Sequence, residues 1–147
     1  MNTIFSFPIR VYYEDTDAGG VVYHSRYLNF MERARTEWLR SLGFEQDELR
    51  RSHGVLFAVS SLSIDFRRPA RFNELLAVTV AVRRRGAASL QIAQEVRRGA
   101  EMLASAEVRI ACLDAERFAP TAIPPHIAAR VGTAAGQPRR ATAKETS

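Results

Sequence analysis

The sequence predicts an α+β domain in which an antiparallel sheet of about five strands wraps around one long central helix. Three observations lead to this fold class. From Tyr27 to Leu42, apolar residues recur at every third or fourth position, which is the period of an amphipathic helix. Alternating apolar residues mark one strand before this helix and four strands after it. The strands after the helix are joined by short turn-like segments, which predicts an antiparallel meander.

The first strand is predicted at residues 5–13, where the odd positions are apolar or aromatic. Pro8 lacks an amide hydrogen and therefore indicates an edge strand or the opening of a strand. The long helix is expected to start near Val22 and to span about 30 Å at 1.5 Å per residue, with Gly43 as its stop. A short helical turn or a loop is expected at residues 44–52.

Four alternating runs follow at residues 55–66, 76–82, 90–96 and 102–112. They are separated by segments that contain Pro69 and Asn73, Gly86, and Gly99. A sheet with one apolar face needs cover, and the long helix is the element able to supply it. A short helix is expected at residues 125–131.

Length and composition indicate one domain. The chain has 147 residues, of which we assign 1–131 to the domain and 132–147 to a basic, disordered tail. No apolar run is long enough for a signal peptide or a membrane span, so a cytoplasmic protein without stable membrane insertion is expected. The single cysteine, Cys112, excludes an intrachain disulfide and is expected to be a buried, inert thiol.

The net charge of +5 raises the possibility of a nucleic-acid partner. However, residues 130–147 hold four basic residues and one acidic residue, and so contribute +3 of that charge. The rest of the chain is nearly balanced, and no exposed aromatic stripe is evident. We therefore expect no nucleic-acid partner.

A carboxylate-rich turn precedes the long helix. Residues 15–20 read DTDAGG, which predicts a tight connection. Composition alone favours a capping role for Asp15 or Asp17. The alternative is chemical: a carboxylate beside the free amides of a helix start is suited to acyl hydrolysis, with Asp17 as nucleophile or general base. Gly20 would then let a substrate approach the backbone closely.

His24 lies near the first turn of the helix. A lone histidine is more often a polar residue satisfied by local bonds, but at this position it is also placed to bind a substrate or to orient Asp17. The three histidines of the chain lack cysteine or carboxylate neighbours at ligand spacing. We therefore expect no metal site and no cofactor.

The segment RVYYEDTDAGGVVYHSRYLNFMERARTEWL, at residues 10–39, resembles the signature of hotdog-fold acyl-CoA thioesterases of the 4-hydroxybenzoyl-CoA thioesterase family. Within that family it is most similar to the Tol-Pal-associated acyl-CoA thioesterase subgroup. The predicted succession of elements over residues 5–115 is also similar to that of the family. The resemblance implies a hotdog fold and hydrolysis of an acyl-CoA thioester.

By this resemblance, the second Asp of the turn, Asp17, is the catalytic carboxylate. The amide that polarises the thioester carbonyl lies at His24, with Tyr23 and Val22 beside it, and the histidine side chain is typical of the subgroup. Tyr23 and Tyr27 are expected to line an acyl pocket, although core packing is the simpler interpretation of Tyr27.

Two arginine clusters are candidates for binding the phosphates of coenzyme A. The turn at residues 83–89 resembles the basic turn of the family, and arginine suits phosphate because its planar fork donates two hydrogen bonds. Without the resemblance, such arginines commonly just keep a hairpin end solvated. The candidates are Arg83, Arg84 and Arg85, with Arg67 and Arg68 as a second cluster.

The expected partners are an acyl-CoA substrate, an acyl carrier protein as an alternative carrier, and further copies of the chain in a homodimer or homotetramer. One alternative function is dehydration of a hydroxyacyl thioester. The dehydratases that this fold resembles have a loop histidine in an H-F-P sequence, whereas this chain has HSRY at His24. Another is a non-catalytic module that binds acyl-CoA or acyl carrier protein.

Overall fold

The computed structural model describes residues 4–135, and it confirms the α+β class and the five-stranded antiparallel sheet. A short 3₁₀ turn at Tyr13–Asp15 shortens the first strand, which therefore ends at Arg10. The strands are β1 Phe5–Arg10, β2 Val55–Phe66, β3 Leu75–Arg85, β4 Ser89–Arg98 and β5 Glu101–Asp114. The helices are α1 His24–Ser41, α2 Gln46–His53 and α3 Pro125–Ala135.

The strand order is β1-β3-β4-β5-β2. Strand β1 is an edge strand, as Pro8 indicated, and Pro8 lies opposite Ala77 of β3. Strands β3, β4 and β5 form the expected meander. The other edge is β2, whose 12 residues pair on one side with β5.

The expectation that β2 pairs with β3 in a four-strand meander is wrong, because the segment between them is a crossover rather than a hairpin turn. The amides of Arg67 and Arg68 bond to the carbonyl of Leu103 on β5. Residues 70–74 then run beside the start of α1, where Ala70 accepts the Val22 N–H at 2.8 Å. The crossover therefore brings the end of β2 next to the segment that leads into α1.

Helix α1 supplies one apolar stripe to the core, in which Phe30, Met31 and Ala34 are fully buried. Its 18 residues span about 27 Å, and it begins at His24, two residues later than predicted. The helix contacts β1, β3 and β4. A groove of about 230 Å³ remains between α1 and the inner faces of β2, β4 and β5.

One polar pair is built into the face of α1 that packs on the sheet. Gln94 of β4 is fully buried, and its carbonyl oxygen accepts a hydrogen bond from Arg35 at 3.0 Å. Its amide nitrogen donates to the Met31 carbonyl at 3.2 Å. Burial lowers the pKa of Arg35. Because both polar groups of the Gln94 amide have partners, the side chain is accommodated in the apolar layer.

The chain after β5 returns to the sheet as α3, with Ile127 and Val131 fully buried. Residues 132–135, which were predicted to begin the tail, continue α3, and the rest of the predicted tail, residues 136–147, lies outside the described part of the chain. Cys112 is buried, and burial raises the pKa of its thiol. Among the described residues, no helix has the length and apolar character needed to span a membrane.

Candidate active site

The carboxylate-rich segment forms a small closed loop at residues 16–22. Thr16 and Val22 form an antiparallel bridge, and the Asp17 N–H bonds to the Val21 carbonyl at 2.9 Å. On the other side, Val21 forms a bridge with Arg71 of the crossover. The loop is therefore held between its own first residues and the crossover, and it leads directly into α1.

Asp17 is exposed at the base of this loop. Its Oδ1 accepts the Gly19 N–H at 2.8 Å, and its carbonyl accepts the Gly20 N–H at 3.0 Å. Gly20 has φ of 81°, which suits glycine, and a Cβ on Gly19 would lie 3.3 Å from Asp17 Oδ1. The two glycines thus fix the orientation of the carboxylate and leave the space beside it open.

Asp15 has a different environment from Asp17. It is only 3% exposed, and its Oδ2 accepts the Tyr12 N–H at 2.8 Å. Its carbonyl accepts the Tyr23 N–H at 3.0 Å, while Arg26 Nε lies 3.9 Å from its Oδ1. Asp15 therefore ties the end of the 3₁₀ turn to the start of α1.

The backbone amides before and within the first turn of α1 divide into two groups. Val22 N–H donates to Ala70, and Tyr23 N–H donates to Asp15. Within residues 4–135, the amides of His24 and Ser25 have no acceptor, and Tyr23 as N-cap makes no side-chain capping bond. The first turn also contains no acidic residue. His24 and Ser25 are thus the free donors at the positive end of the helix dipole.

The His24 side chain packs on an aromatic residue that the sequence did not single out. Its ring centroid lies 4.6 Å from that of Phe66, the last residue of β2. Phe66 is 44% exposed, and Tyr23, whose ring centroid lies 6.3 Å from that of His24, is 57% exposed. Alternation along β2 places Phe66 on the same face as Leu62 and Ile64. It did not predict the contact with His24, because that contact depends on the crossover.

Two residues expected to contact substrate are instead core residues. Tyr27 is 2% exposed, and its hydroxyl oxygen accepts the Ala70 N–H at 3.0 Å. Burial raises the pKa of the Tyr27 phenol, so the hydroxyl is neutral at physiological pH. Val22 is 4% exposed, and its amide is already bonded. The expectation that Tyr27 lines an acyl pocket therefore disagrees with its burial, and Val22 offers no free amide.

Arg84 and Arg85 lie at the opposite end of the sheet from Arg67 and Arg68. Arg67 and Arg68 follow Phe66 at the end that carries the loop and the start of α1. The β3–β4 hairpin lies at the other end, because Arg85 aligns through Leu90 and Ile110 with Val59 of β2. At about 3.3 Å per residue, seven residues of β2 separate these levels by roughly 20 Å.

The arginines also differ in their ion pairs. Arg83 bonds to Glu107 at 2.8 Å, and Arg68 bonds to Glu101 at 3.0 Å. In the part of the chain that the structure describes, Arg67, Arg84 and Arg85 form no ion pair. Arg67 and Arg83 both line a depression of about 330 Å³, but the same depression is also lined by Asp65, Glu95 and Glu107. It is therefore poorly suited to an anion.

The loop and the start of α1 together offer a carboxylate and two free amides in a partly exposed setting. A carboxylate in this setting can attack a carbonyl carbon or activate water to attack it, while the free amides polarise the carbonyl oxygen. The described residues contain no group of three or more histidine, cysteine or acidic residues placed to hold a metal ion.

The contrast between the two aspartates predicts different effects on stability. Asp15→Ala should lower the free energy of unfolding by about 1–3 kcal/mol, because the partly buried Tyr12 amide loses the buried Asp15 carboxylate as its acceptor. Asp17→Ala should lower it by less than about 1 kcal/mol, because the Gly19 amide is exposed and can bond to water. Urea denaturation of both variants measures the difference, and equal losses would contradict it.

The chain is similar to several known proteins. The model of the thioesterase-like superfamily matches residues 11–131. The acyl-CoA thioesterase YbgC of Haemophilus influenzae is 47% identical over 125 residues, which cover 85% of this chain and 92% of that protein. The acyl-CoA thioester hydrolase YbgC of Escherichia coli O6:H1 is 41% identical over 128 residues, covering 86% of this chain and 95% of that protein.

Among solved structures, a probable thioesterase from Bartonella henselae superposes with a TM-score of 0.80 at 38% identity. The match covers 83% of this chain and 100% of that chain. Since the family model and these relatives each match most of the chain, the protein belongs to the thioesterase-like superfamily.

Proposed function

We propose that this protein is an acyl-CoA thioesterase, which hydrolyses an acyl-CoA thioester to the free acid and coenzyme A. The observation that carries the proposal is the pair of free amides at His24 and Ser25. They lie at the start of α1, directly after the loop that carries Asp17. The names of the YbgC relatives support the same activity. The histidine at position 24 supports membership of the Tol-Pal-associated subgroup.

In the proposed reaction, the His24 N–H donates a hydrogen bond to the thioester carbonyl oxygen and stabilises the negative charge that develops there. Asp17 then acts by one of two routes. As a nucleophile, its carboxylate attacks the carbonyl carbon, releases the coenzyme A thiolate and leaves a mixed anhydride, which water opens. As a general base, it takes a proton from the attacking water.

The two routes differ in where solvent oxygen is incorporated. A single turnover in oxygen-labelled water places label in Asp17 only if water opens an anhydride at the Asp17 carboxyl. A general base, or an anhydride that water opens at the acyl carbon, leaves the Asp17 oxygens unlabelled, so label in Asp17 is the result that identifies the nucleophilic route.

We further propose that two copies of the chain pair through β2. This strand is a long edge, and Val59 of β2 and Leu28 on the neighbouring face of α1 are both exposed apolar residues. Edge strands of this kind present unpaired backbone groups that favour pairing with another strand. Two β2 strands related by a twofold axis perpendicular to the sheet run antiparallel.

This pairing accounts for the separation of the arginines from the loop. Antiparallel pairing places the Phe66 end of one β2 beside the Val55 end of the other. The β3–β4 hairpin of the second copy then lies at the same end of the joint sheet as the Asp17 loop of the first. In this arrangement Arg84 and Arg85 of the second copy bind the coenzyme A phosphates, while Arg67 and Arg68 flank the site within the first copy.

The proposed activity predicts that Asp17→Asn remains folded and hydrolyses acyl-CoA at least about 10²- to 10⁴-fold more slowly in kcat, because the amide neither attacks nor accepts a proton. Thiol release from a panel of acyl-CoA and acyl carrier protein substrates measures the loss. Asp47→Asn on α2, an exposed aspartate away from the loop and from β2, is the matched control and should retain activity. Near-normal hydrolysis by Asp17→Asn would sink the proposal.

The proposed pairing predicts complementation between two defective variants. Arg84→Ala/Arg85→Ala should raise KM for acyl-CoA, whereas the charge-matched change Arg50→Ala/Arg51→Ala should not. When the arginine variant is unfolded and refolded together with Asp17→Asn, each mixed dimer has one intact site. Hydrolysis at low acyl-CoA concentration should then exceed the average of the two variants alone. Activity equal to that average would contradict shared sites.

A further inference from the structure

The Tyr27 hydroxyl makes a hydrogen bond in addition to the packing of the Tyr27 ring in the core. The phenol lies on α1, one turn after His24, and its oxygen accepts the N–H of Ala70 at 3.0 Å. Ala70 is fully buried, so its amide would have no solvent partner if the hydroxyl were removed. Among the described residues, Tyr27 is the one acceptor of this amide.

Ala70 also holds the segment that leads into α1. Its carbonyl accepts the Val22 N–H at 2.8 Å, and Val21 pairs with Arg71. The N–H and the carbonyl of Ala70 thus connect the Tyr27 hydroxyl to Val22, two residues before His24. A shift of Ala70 moves Val22, and with it the direction of the free amides.

A second path runs through the aromatic rings. The Tyr27 ring lies 5.3 Å from the Phe66 ring in an edge-to-face arrangement, and the Phe66 ring lies 4.6 Å from that of His24. Edge-to-face packing of this kind is favourable and orients both rings. Tyr27 therefore contacts the surroundings of His24 through its ring as well as through its hydroxyl.

We propose that Tyr27 is a positioning residue for the carbonyl-polarising amide of His24. Its hydroxyl fixes Ala70, Ala70 fixes Val22, and the position of Val22 sets the direction of the His24 N–H. Tyr27 itself does not touch the substrate, because it is 2% exposed. This inference rests on the proposed thioesterase function, and it assigns to Tyr27 an effect on turnover rather than on substrate affinity.

The test uses Tyr27→Phe, which keeps the ring and removes only the hydroxyl. Ile127→Val is the control, because Ile127 is fully buried in α3, a helix that packs on β3 and is joined to the C-terminal end of α1 by the bond from Arg130 to the Leu42 carbonyl. Tyr27→Phe should lower kcat by about 10- to 100-fold, with KM for acyl-CoA within about 3-fold of wild type, because a misplaced donor loses transition-state contact. Ile127→Val should lose thermal stability but keep kcat.

A second measurement needs no turnover. Acyl-CoA carrying a ¹³C-labelled carbonyl is bound to Asp17→Asn, and its carbonyl stretching frequency is measured by difference infrared spectroscopy. Polarisation by the His24 amide should lower this frequency relative to free acyl-CoA. Adding Tyr27→Phe should reduce that shift, whereas adding Ile127→Val should leave it unchanged.

The outcomes separate the two ideas. A wild-type kcat for Tyr27→Phe together with an unchanged carbonyl frequency would overturn the positioning role. So would an equal loss of kcat in Ile127→Val at the same loss of thermal stability. Failure of the wild-type protein to release thiol from any acyl-CoA would instead overturn the proposed function, and the carbonyl frequency would still decide the role of Tyr27.

Discussion

The pairing of the crossover with the segment before α1 is the constraint on which the rest of the site depends. Ala70 accepts the Val22 N–H and donates its own N–H to Tyr27, so one buried residue joins the crossover, the loop and the helix. Breaking either bond would leave a buried polar group without a partner, which is costly. These bonds therefore hold the loop that carries Asp17 and the start of α1, which carries the His24 amide, in fixed positions relative to each other.

The same constraint determines which amides are available for chemistry. Val22 and Tyr23 are used to hold the loop, and in the described part of the chain the next two residues, His24 and Ser25, are left as donors at the helix start. The absence of acidic residues from the first turn leaves their positive potential uncompensated by the helix itself. The resemblance pointed to this region, and the hydrogen bonds within it leave His24 and Ser25 as the candidate donors.

Much of the fold followed from local patterns, because each strand and α1 carries its own apolar period. Pro8 correctly indicated an edge, and the residue types of the DTDAGG segment correctly predicted a tight turn. The position of β2 could not, because the pairing of β2 with β5 depends on a crossover whose residues have no period. The burial of Tyr27 and the contact between Phe66 and His24 depend on that crossover too. For Tyr27, helical spacing favoured a core position but did not exclude a place in an acyl pocket.

The central claim is that the His24 amide binds the thioester carbonyl beside Asp17. A crystal structure of Asp17→Asn with a bound acyl-CoA tests it most directly. The account predicts the carbonyl oxygen about 2.7–3.2 Å from the His24 nitrogen, with the carbonyl carbon facing residue 17. A carbonyl oxygen bound elsewhere, with the His24 amide still free, would contradict the account.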